Sequence, residues 1–171
     1  MITAICPGTY DPVTLGHVDV IRRAAEILDR VVVGVVREPS HKQTLFTVEE
    51  RVVFLEEALA DRANVVVDVF SELVVDFARR HQARMMVKGL RVIADFEWEF
   101  QMNHLNRVLA PEIETLYLMS SPQHSFISSS GVREIASFGG DVSELVPQPV
   151  AARFRELFPD GRPGTPVRPS E

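Results

Sequence analysis

Ile2-Thr3-Ala4-Ile5-Cys6-Pro7-Gly8-Thr9-Tyr10-Asp11-Pro12-Val13-Thr14-Leu15-Gly16-His17 runs from an apolar segment, through a turn rich in Gly and Pro, into an amphipathic stretch. A buried strand over residues 2–6, an irregular turn and a helix starting near Thr14 form the opening of an α/β unit. The same stretch reads as a phosphate site. The first N–H groups of a helix lack intrahelical partners and carry partial positive charge, and His17 stands in that first turn. Thr14-Leu15-Gly16-His17 fits a T-x-G-H pattern, in which Gly allows close backbone approach and His supplies a directed donor or cation to a phosphoryl oxygen. A capping Thr followed by an incidental His would give the same four letters. Their place after a first strand and a Gly-Pro turn favours the phosphate reading.

Further apolar runs at residues 31–36, 65–69, 85–88 and 115–119 alternate with helix-period segments, which predicts an α/β fold with a five-stranded parallel sheet flanked by helices. Val18, Ile21, Ala25 and Leu28 form one apolar stripe on a first helix over residues 15–28. Thr47-Val48-Glu49-Glu50 is a capping box at the start of a second helix, whose Val52, Leu55 and Leu59 face the core. A third helix is expected over 73–81 and a fourth over 95–109, with Phe96, Phe100 and Leu109 among its apolar positions and a dense polar face. Shorter helices follow near 131–138 and 149–157. Residues 159–171 hold four prolines and two glycines without apolar period and read as a disordered tail, leaving one domain over 1–158.

Composition bounds the partners. The chain has 171 residues, 46% of them hydrophobic, enough for one core, and a net charge of -6 argues against general nucleic-acid binding. The single cysteine rules out an internal disulfide framework and fits a reducing compartment. No apolar run reaches the roughly 20 residues needed to span a bilayer, and no signal-peptide pattern opens the chain, so the expectation is a cytoplasmic protein without a membrane partner. His41, His81, His104 and His124 are scattered without Cys partners, so no metal site is assigned.

Two more segments carry chemistry. Lys88-Gly89-Leu90-Arg91 places two cations around a glycine at a strand end, which suits a polyphosphate, and a solvated basic turn is the plainer alternative. Ser125-Phe126-Ile127-Ser128-Ser129-Ser130-Gly131-Val132-Arg133 is a donor-rich turn leading into a helix, which is also what a simple helix cap looks like. Between the second strand and second helix, residues 37–44 form a polar loop beyond a strand's carboxyl end, where open α/β sheets place ligand groups. Cys6 reads as a core residue, and Asp11, before Pro12, as a turn former more than a metal ligand.

These motifs, with Phe46-Thr47, Glu50-Arg51, Asp95-Phe96-Glu97-Trp98-Glu99, Asn106 and Gly140-Asp141-Val142, resemble the bacterial phosphopantetheine adenylyltransferases of the T/HxGH nucleotidyltransferase superfamily over roughly residues 1 to 158. The resemblance implies a Rossmann-like domain that transfers the adenylyl group of ATP to 4′-phosphopantetheine, giving 3′-dephospho-CoA and pyrophosphate in coenzyme A biosynthesis. It implies His17 as transition-state stabiliser, and Thr9, Lys42, Val74 and Lys88 as substrate ligands. For ATP it implies Thr9, Tyr10, His17, Gly89, Leu90, Arg91, Glu99, His124, Ser125, Phe126, Ile127, Ser128, Ser129 and Ser130. Mg²⁺ accompanies ATP, CoA is implied as feedback inhibitor, and the assembly as a homo-oligomer, a hexamer. The chain departs from the family pattern at three places. The loop over 39–44 is one residue longer, so that His41 or Lys42 fills the family's lysine position, with Lys42 preferred as the cation at neutral pH. Lys88 stands for the more common Arg, and Trp98 for Tyr. A nucleotidyltransferase acting on nicotinate mononucleotide or glycerol phosphate, and a non-catalytic nucleotide sensor, are the alternatives.

Overall fold

The computed structural model describes residues 1–39 and 43–159, with the side chains of Ile93 and Ala94 left aside. Its strands are β1 (Thr3–Gly8), β2 (Arg30–Val36), β3 (Val65–Phe70), β4 (Met85–Leu90) and β5 (Glu114–Met119). The helices are α1 (Leu15–Ile27), α2 (Val48–Ala58), α3 (Val74–Arg80), α4 (Ile93–Leu109), α5 (Ser129–Ser137) and α6 (Gln148–Leu157), with a 3₁₀ turn at Pro122–His124. All strand pairs are parallel and the order is β3-β2-β1-β4-β5. The chain winds outward from β1 to β3, then crosses back to place β4 on the other side of β1, so the strand order reverses at β1. Crevices at such reversals are where open α/β sheets bind ligands.

Alternation along the strands explains why both sheet faces are covered. Ala4, Cys6, Val31, Val33 and Val35 pack on one side with α1, α2, α5 and α6. Ile5 and Val32 point the other way, to Phe70, Phe77, Met86 and Ile113. Val31, Val32, Val33 and Val35 are wholly buried, each side chain contributing about 1.5–3 kcal/mol relative to exposure. The predicted stripe of Val18, Ile21, Ala25 and Leu28 is buried. The α2 capping box forms as expected: Thr47 N–H donates to Glu50 Oε2 (2.9 Å) and Glu50 N–H to Thr47 Oγ1 (3.2 Å).

Boundaries differ from expectation in several places. β4 runs on through Gly89 and Leu90, two residues past the expected 85–88, so only Arg91 of the Lys88-Gly89-Leu90-Arg91 motif lies beyond the strand. Pro7 and Gly8 belong to β1, paired with Gly34 and Val35. Pairing of β1 with β4 covers only Ala4–Met85 and Ile5–Met86, so Pro7 lies past the end of that ladder, where a missing N–H is tolerated. Ser129 and Ser130 already lie in α5, because Ser128 caps it. α4 starts two residues earlier than its apolar period suggested, and its Phe96, Phe100 and Leu109 stay about half exposed. Among the described residues no helix is long and apolar enough to cross a membrane. The expectations for His41, Lys42 and the tail from residue 160 onward fall outside the described residues.

Candidate active site

A cavity of about 720 Å³ opens at the carboxyl ends of β1 and β4, where the strand order reverses. The carboxyl ends of β1 and β4, the first turn of α1 and the start of α5 form its walls. His17 lines it, and its setting fixes its chemistry. Thr14 and His17 form the α1 capping box: His17 N–H donates to Thr14 Oγ1 (3.3 Å), and Thr14 N–H donates to His17 Nδ1 (3.0 Å). A backbone N–H cannot change its role, so Nδ1 must carry the lone pair and the proton sits on Nε2. Burial, aided by the nearby Arg91 charge, lowers the His17 pKa to about 4. Only part of the ring is covered by protein, yet both causes act in the same direction. At neutral pH His17 is therefore a neutral Nε2–H donor, one of the two states that the sequence left open. Tyr10 meets its ring edge-on at 5.2 Å, and Tyr10 itself takes a left-handed backbone (φ 52°) with its hydroxyl donating to Cys6 O (2.8 Å).

Three cation–carboxylate pairs line the same cavity. Lys88 Nζ lies 3.4 Å from Glu99 Oε1. Arg91 donates from its backbone N–H, Nε and Nη2 to Asp95, and from Nη1 to Ile127 O, so its fork is held in one orientation. Burial works against ionisation of Asp95, but the bonds from Arg91 outweigh it and hold the carboxyl below its usual range. Arg133 donates from Nη1 to the Asp11 carbonyl and to its carboxylate (3.1 Å). Asp11 is buried and also accepts from Leu45 N–H (2.9 Å) and Phe46 N–H (2.9 Å), which pins the chain just after the 37–44 loop to the β1 turn.

The α5 start faces the cavity with its serines. Ser128 Oγ accepts from Gly131 N–H (3.0 Å), while Ser129 Oγ donates to Pro12 O (2.8 Å) and ties the serine turn to the β1 turn. A Cβ on Gly16 would meet His124 O at 3.4 Å, an ordinary van der Waals contact, so the 120–127 loop lies directly against the first turn of α1. Asp19 accepts from Ser121 N–H and Oγ–H (2.8 Å) and pairs with Arg23, anchoring that loop.

Of the residues singled out in the sequence, Thr9, Tyr10, His17, Lys88, Gly89, Arg91, Glu99, Ile127, Ser128, Ser129 and Ser130 converge on this cavity. Leu90 is buried in the sheet, Val74 opens α3 and packs against the second core, and Ser125 bonds back to Pro122 O. Phe126 is 72% exposed, and His124 Nδ1 is buried without a protein partner. Sequence reasoning did not assign Asp95, Arg133 or Arg51 to the site. The i,i+4 spacing of Arg91 and Asp95 was the available signal for the first, whereas the contacts of Arg133 and Arg51 cross long sequence separations. Burial drives the Cys6 thiol up to about 12, which removes it as a nucleophile.

Residues 5–135 match the cytidylyltransferase-like family model. The chain is 51% identical over 158 residues to the phosphopantetheine adenylyltransferase of Rubrobacter xylanophilus, covering 92% of this chain and 96% of that protein. It is 47% identical over 169 residues to the enzyme of the same name from Heliobacterium modesticaldum, covering 98% and 100%, and 48% identical over 158 residues to that of Caldanaerobacter subterraneus, covering 92% and 98%.

Proposed function

The chain belongs to the cytidylyltransferase-like family and, within it, to the phosphopantetheine adenylyltransferases, and on that premise we propose that it transfers the adenylyl group of ATP to 4′-phosphopantetheine by aligning two phosphates around His17. A phosphate oxygen of 4′-phosphopantetheine attacks the α-phosphorus of ATP. The bond from that phosphorus to the bridging oxygen of the β-phosphate breaks, and the products are 3′-dephospho-CoA and pyrophosphate. The attacking phosphate is already anionic, so no side-chain nucleophile is required and rate comes from alignment and charge stabilisation.

The observation that carries this reading is the convergence of a neutral His17 Nε2–H donor, three carboxylate-paired cations and two helix starts on one cavity. His17 donates to the α-phosphoryl oxygen that gains charge in the transition state. Arg91 and the Ser128–Ser130 turn hold the polyphosphate, Thr9 aligns the reacting phosphates, and Lys88 with Lys42 takes the acceptor phosphate. Val74 is assigned to the pantetheine arm, and Gly89, Leu90, Glu99 and the 124–127 stretch to the nucleotide. Among the described residues no cluster of three metal-ligating side chains occurs, and Asp11, Asp95 and Glu99 are each engaged by a cation. Mg²⁺ therefore enters as part of the MgATP substrate, held by phosphate oxygens and water. CoA, which shares most of its structure with the product, is proposed as a competing inhibitor. The half-exposed Phe96, Trp98 and Phe100 on α4 support self-association, proposed as a hexamer. The proposed compartment is the cytoplasm.

Pyrophosphate release with MgATP is to be measured against 4′-phosphopantetheine, nicotinate mononucleotide and glycerol 3-phosphate. Release with the first alone is the expected result, and none with the first would reject the assignment. His17→Ala should keep ATP affinity while turnover falls by about 10²-fold or more, the loss typical of a missing oxyanion donor. Unchanged turnover would leave His17 without its assigned task.

A further inference from the structure

Arg51 is the largest fully buried side chain of the protein, with 1% of its surface exposed. Among the described residues it makes no ion pair. All its hydrogen bonds go to backbone carbonyls: Nη1 donates to Thr9 O (2.8 Å) and Val36 O (2.8 Å), Nη2 to Arg37 O (2.9 Å), and Nε to Thr47 O (3.3 Å). The last register pair between β1 and β2 is Gly8–Val35, so Thr9 and Val36 are the first residues beyond the ladder. One guanidinium nitrogen thus continues the ladder by a further rung, bridging the two strands where backbone pairing has stopped.

We infer that Arg51 is a positioning residue for the transfer reaction, clamping the Thr9 turn and the carboxyl end of β2 so that Thr9 meets the reacting phosphates in one fixed geometry. This rests on the adenylyl-transfer reading above. Two physical arguments support it. Carbonyls at the carboxyl edge of a parallel sheet present their negative ends near the ligand crevice, and here the incoming ligands are anions. Arg51 takes three of those carbonyls and directs them into the protein. The turn it grips is also locally unfavourable, since Tyr10 holds a left-handed backbone that non-glycine residues reach only when neighbours over-determine it. Tyr10 OH on Cys6 O fixes one side of that turn and Arg51 on Thr9 O the other. The cations lining the cavity, Lys88, Arg91 and Arg133, are each matched by a carboxylate. Arg51 has no such contact pair among the described residues; the Asp11 and Glu49 charges act on it from beyond ion-pair distance, and its own charge offsets theirs behind the turn. A role in packing alone would be met at lower cost by an apolar residue of similar volume.

Lysine separates the two contributions, because an ammonium keeps the charge but its compact head cannot span Thr9 O, Val36 O and Arg37 O together. With folding verified by circular dichroism, Arg51→Lys is expected to lower kcat ten- to hundredfold while the ATP dissociation constant, measured by calorimetry without the second substrate, shifts less than threefold. Arg51→Met, which lacks the charge, should in addition raise KM for both substrates. Peptide-resolved hydrogen exchange supplies a readout independent of turnover. Amides of residues 9–11 and 36–38 should exchange at least tenfold faster in Arg51→Lys, with β4 and β5 unchanged. Wild-type kcat in Arg51→Lys, or faster exchange spread evenly over all five strands, would overturn the inference. Absence of pyrophosphate release by the wild-type protein would instead reject the reaction, and with it the kinetic consequence, while exchange still decides the clamp.

Discussion

Replacing Asp11 by Asn changes one atom at the centre of the site and should cost about 2–3 kcal/mol of stability. The carboxylate is 3% exposed for the residue as a whole and accepts from three directions. Oδ1 takes Phe46 N–H (2.9 Å), while Oδ2 takes Leu45 N–H (2.9 Å) and Arg133 Nη1 (3.1 Å). An Asn side chain can place its oxygen at the Oδ1 position and keep Phe46, with the longer Leu45 contact at 3.1 Å. Its NH₂ then faces the Leu45 N–H and the Arg133 guanidinium, donor against donor. A hydrogen bond to a charged group contributes about 1.5–3 kcal/mol, discounted here because Arg133 is 31% exposed and regains water. The opposed Leu45 donor adds to the cost. Urea unfolding followed by circular dichroism at one fixed protein concentration reads the difference, since self-association would make the midpoint depend on concentration. A double-mutant cycle with Arg133→Met should give a coupling of about 1 kcal/mol. A loss below about 0.5 kcal/mol for Asp11→Asn, or strict additivity in the cycle, would refute the view that this carboxylate joins the α5 start to the segment after the 37–44 loop.

The remaining expectations follow from His17, Asp95 and Gly34. In the free enzyme His17 should show the Nε2–H tautomer by nitrogen NMR and titrate near 4, and a midpoint near 6.5 would contradict its burial and the Thr14 bond. Because its folded pKa lies below the unfolded value of about 6.5, the unfolded chain takes up the proton first, and the His17 contribution to stability declines as pH falls from about 6.5 towards 4. Asp95→Asn removes the charged acceptor that holds three Arg91 donors and should raise the calorimetric dissociation constant for ATP about tenfold; an unchanged value would show that Arg91 needs no anchor. Gly34→Ala would place a Cβ 2.5 Å from Phe77 Cε1 and 3.1 Å from Phe70 Cε1, inside a stacked pair of buried rings. About 1–3 kcal/mol of lost stability is expected, and a wild-type melting temperature would mean that the rings move freely.

Much of this architecture was readable from periodicity. The valine run of β2 marks a strand buried on both faces, and the stripe on α1 a buried helix face repeating every 3.6 residues, whereas the similar run of β3 lies at the sheet edge and is only partly buried. Boundaries were less readable where a tertiary condition overrode a local rule. Pro7 reads as a turn residue until the short β1–β4 ladder shows why it can extend the strand. Most of the cavity-lining residues were legible as motifs, since Gly16-His17, Lys88-Gly89-Leu90-Arg91 and the serine run are contiguous. The residues that hold them were not. Arg133 reaches Asp11 over 122 positions and Arg51 reaches Thr9 over 42, and no local pattern encodes such a contact. The protonation state of His17 was similarly hidden, because it depends on which ring nitrogen the Thr14 amide meets.

The strand order also has a consequence for how the chain is made. β1 is made before the other four strands of the sheet and is the central strand once it is finished, but its neighbour β4 begins at Met85. Synthesis at about 5–20 residues per second leaves one edge of β1 without its partner for roughly 4–15 s after Gly8 is joined. During that interval β1, β2 and β3 can pair, with the Ala4–Ile5 edge open to other strands. The cavity is also incomplete until the serine turn at 128–130 has been made, since that turn comes after every strand. A chain cut before β4 would therefore combine the open edge of a central strand with a cavity that lacks several of its walls.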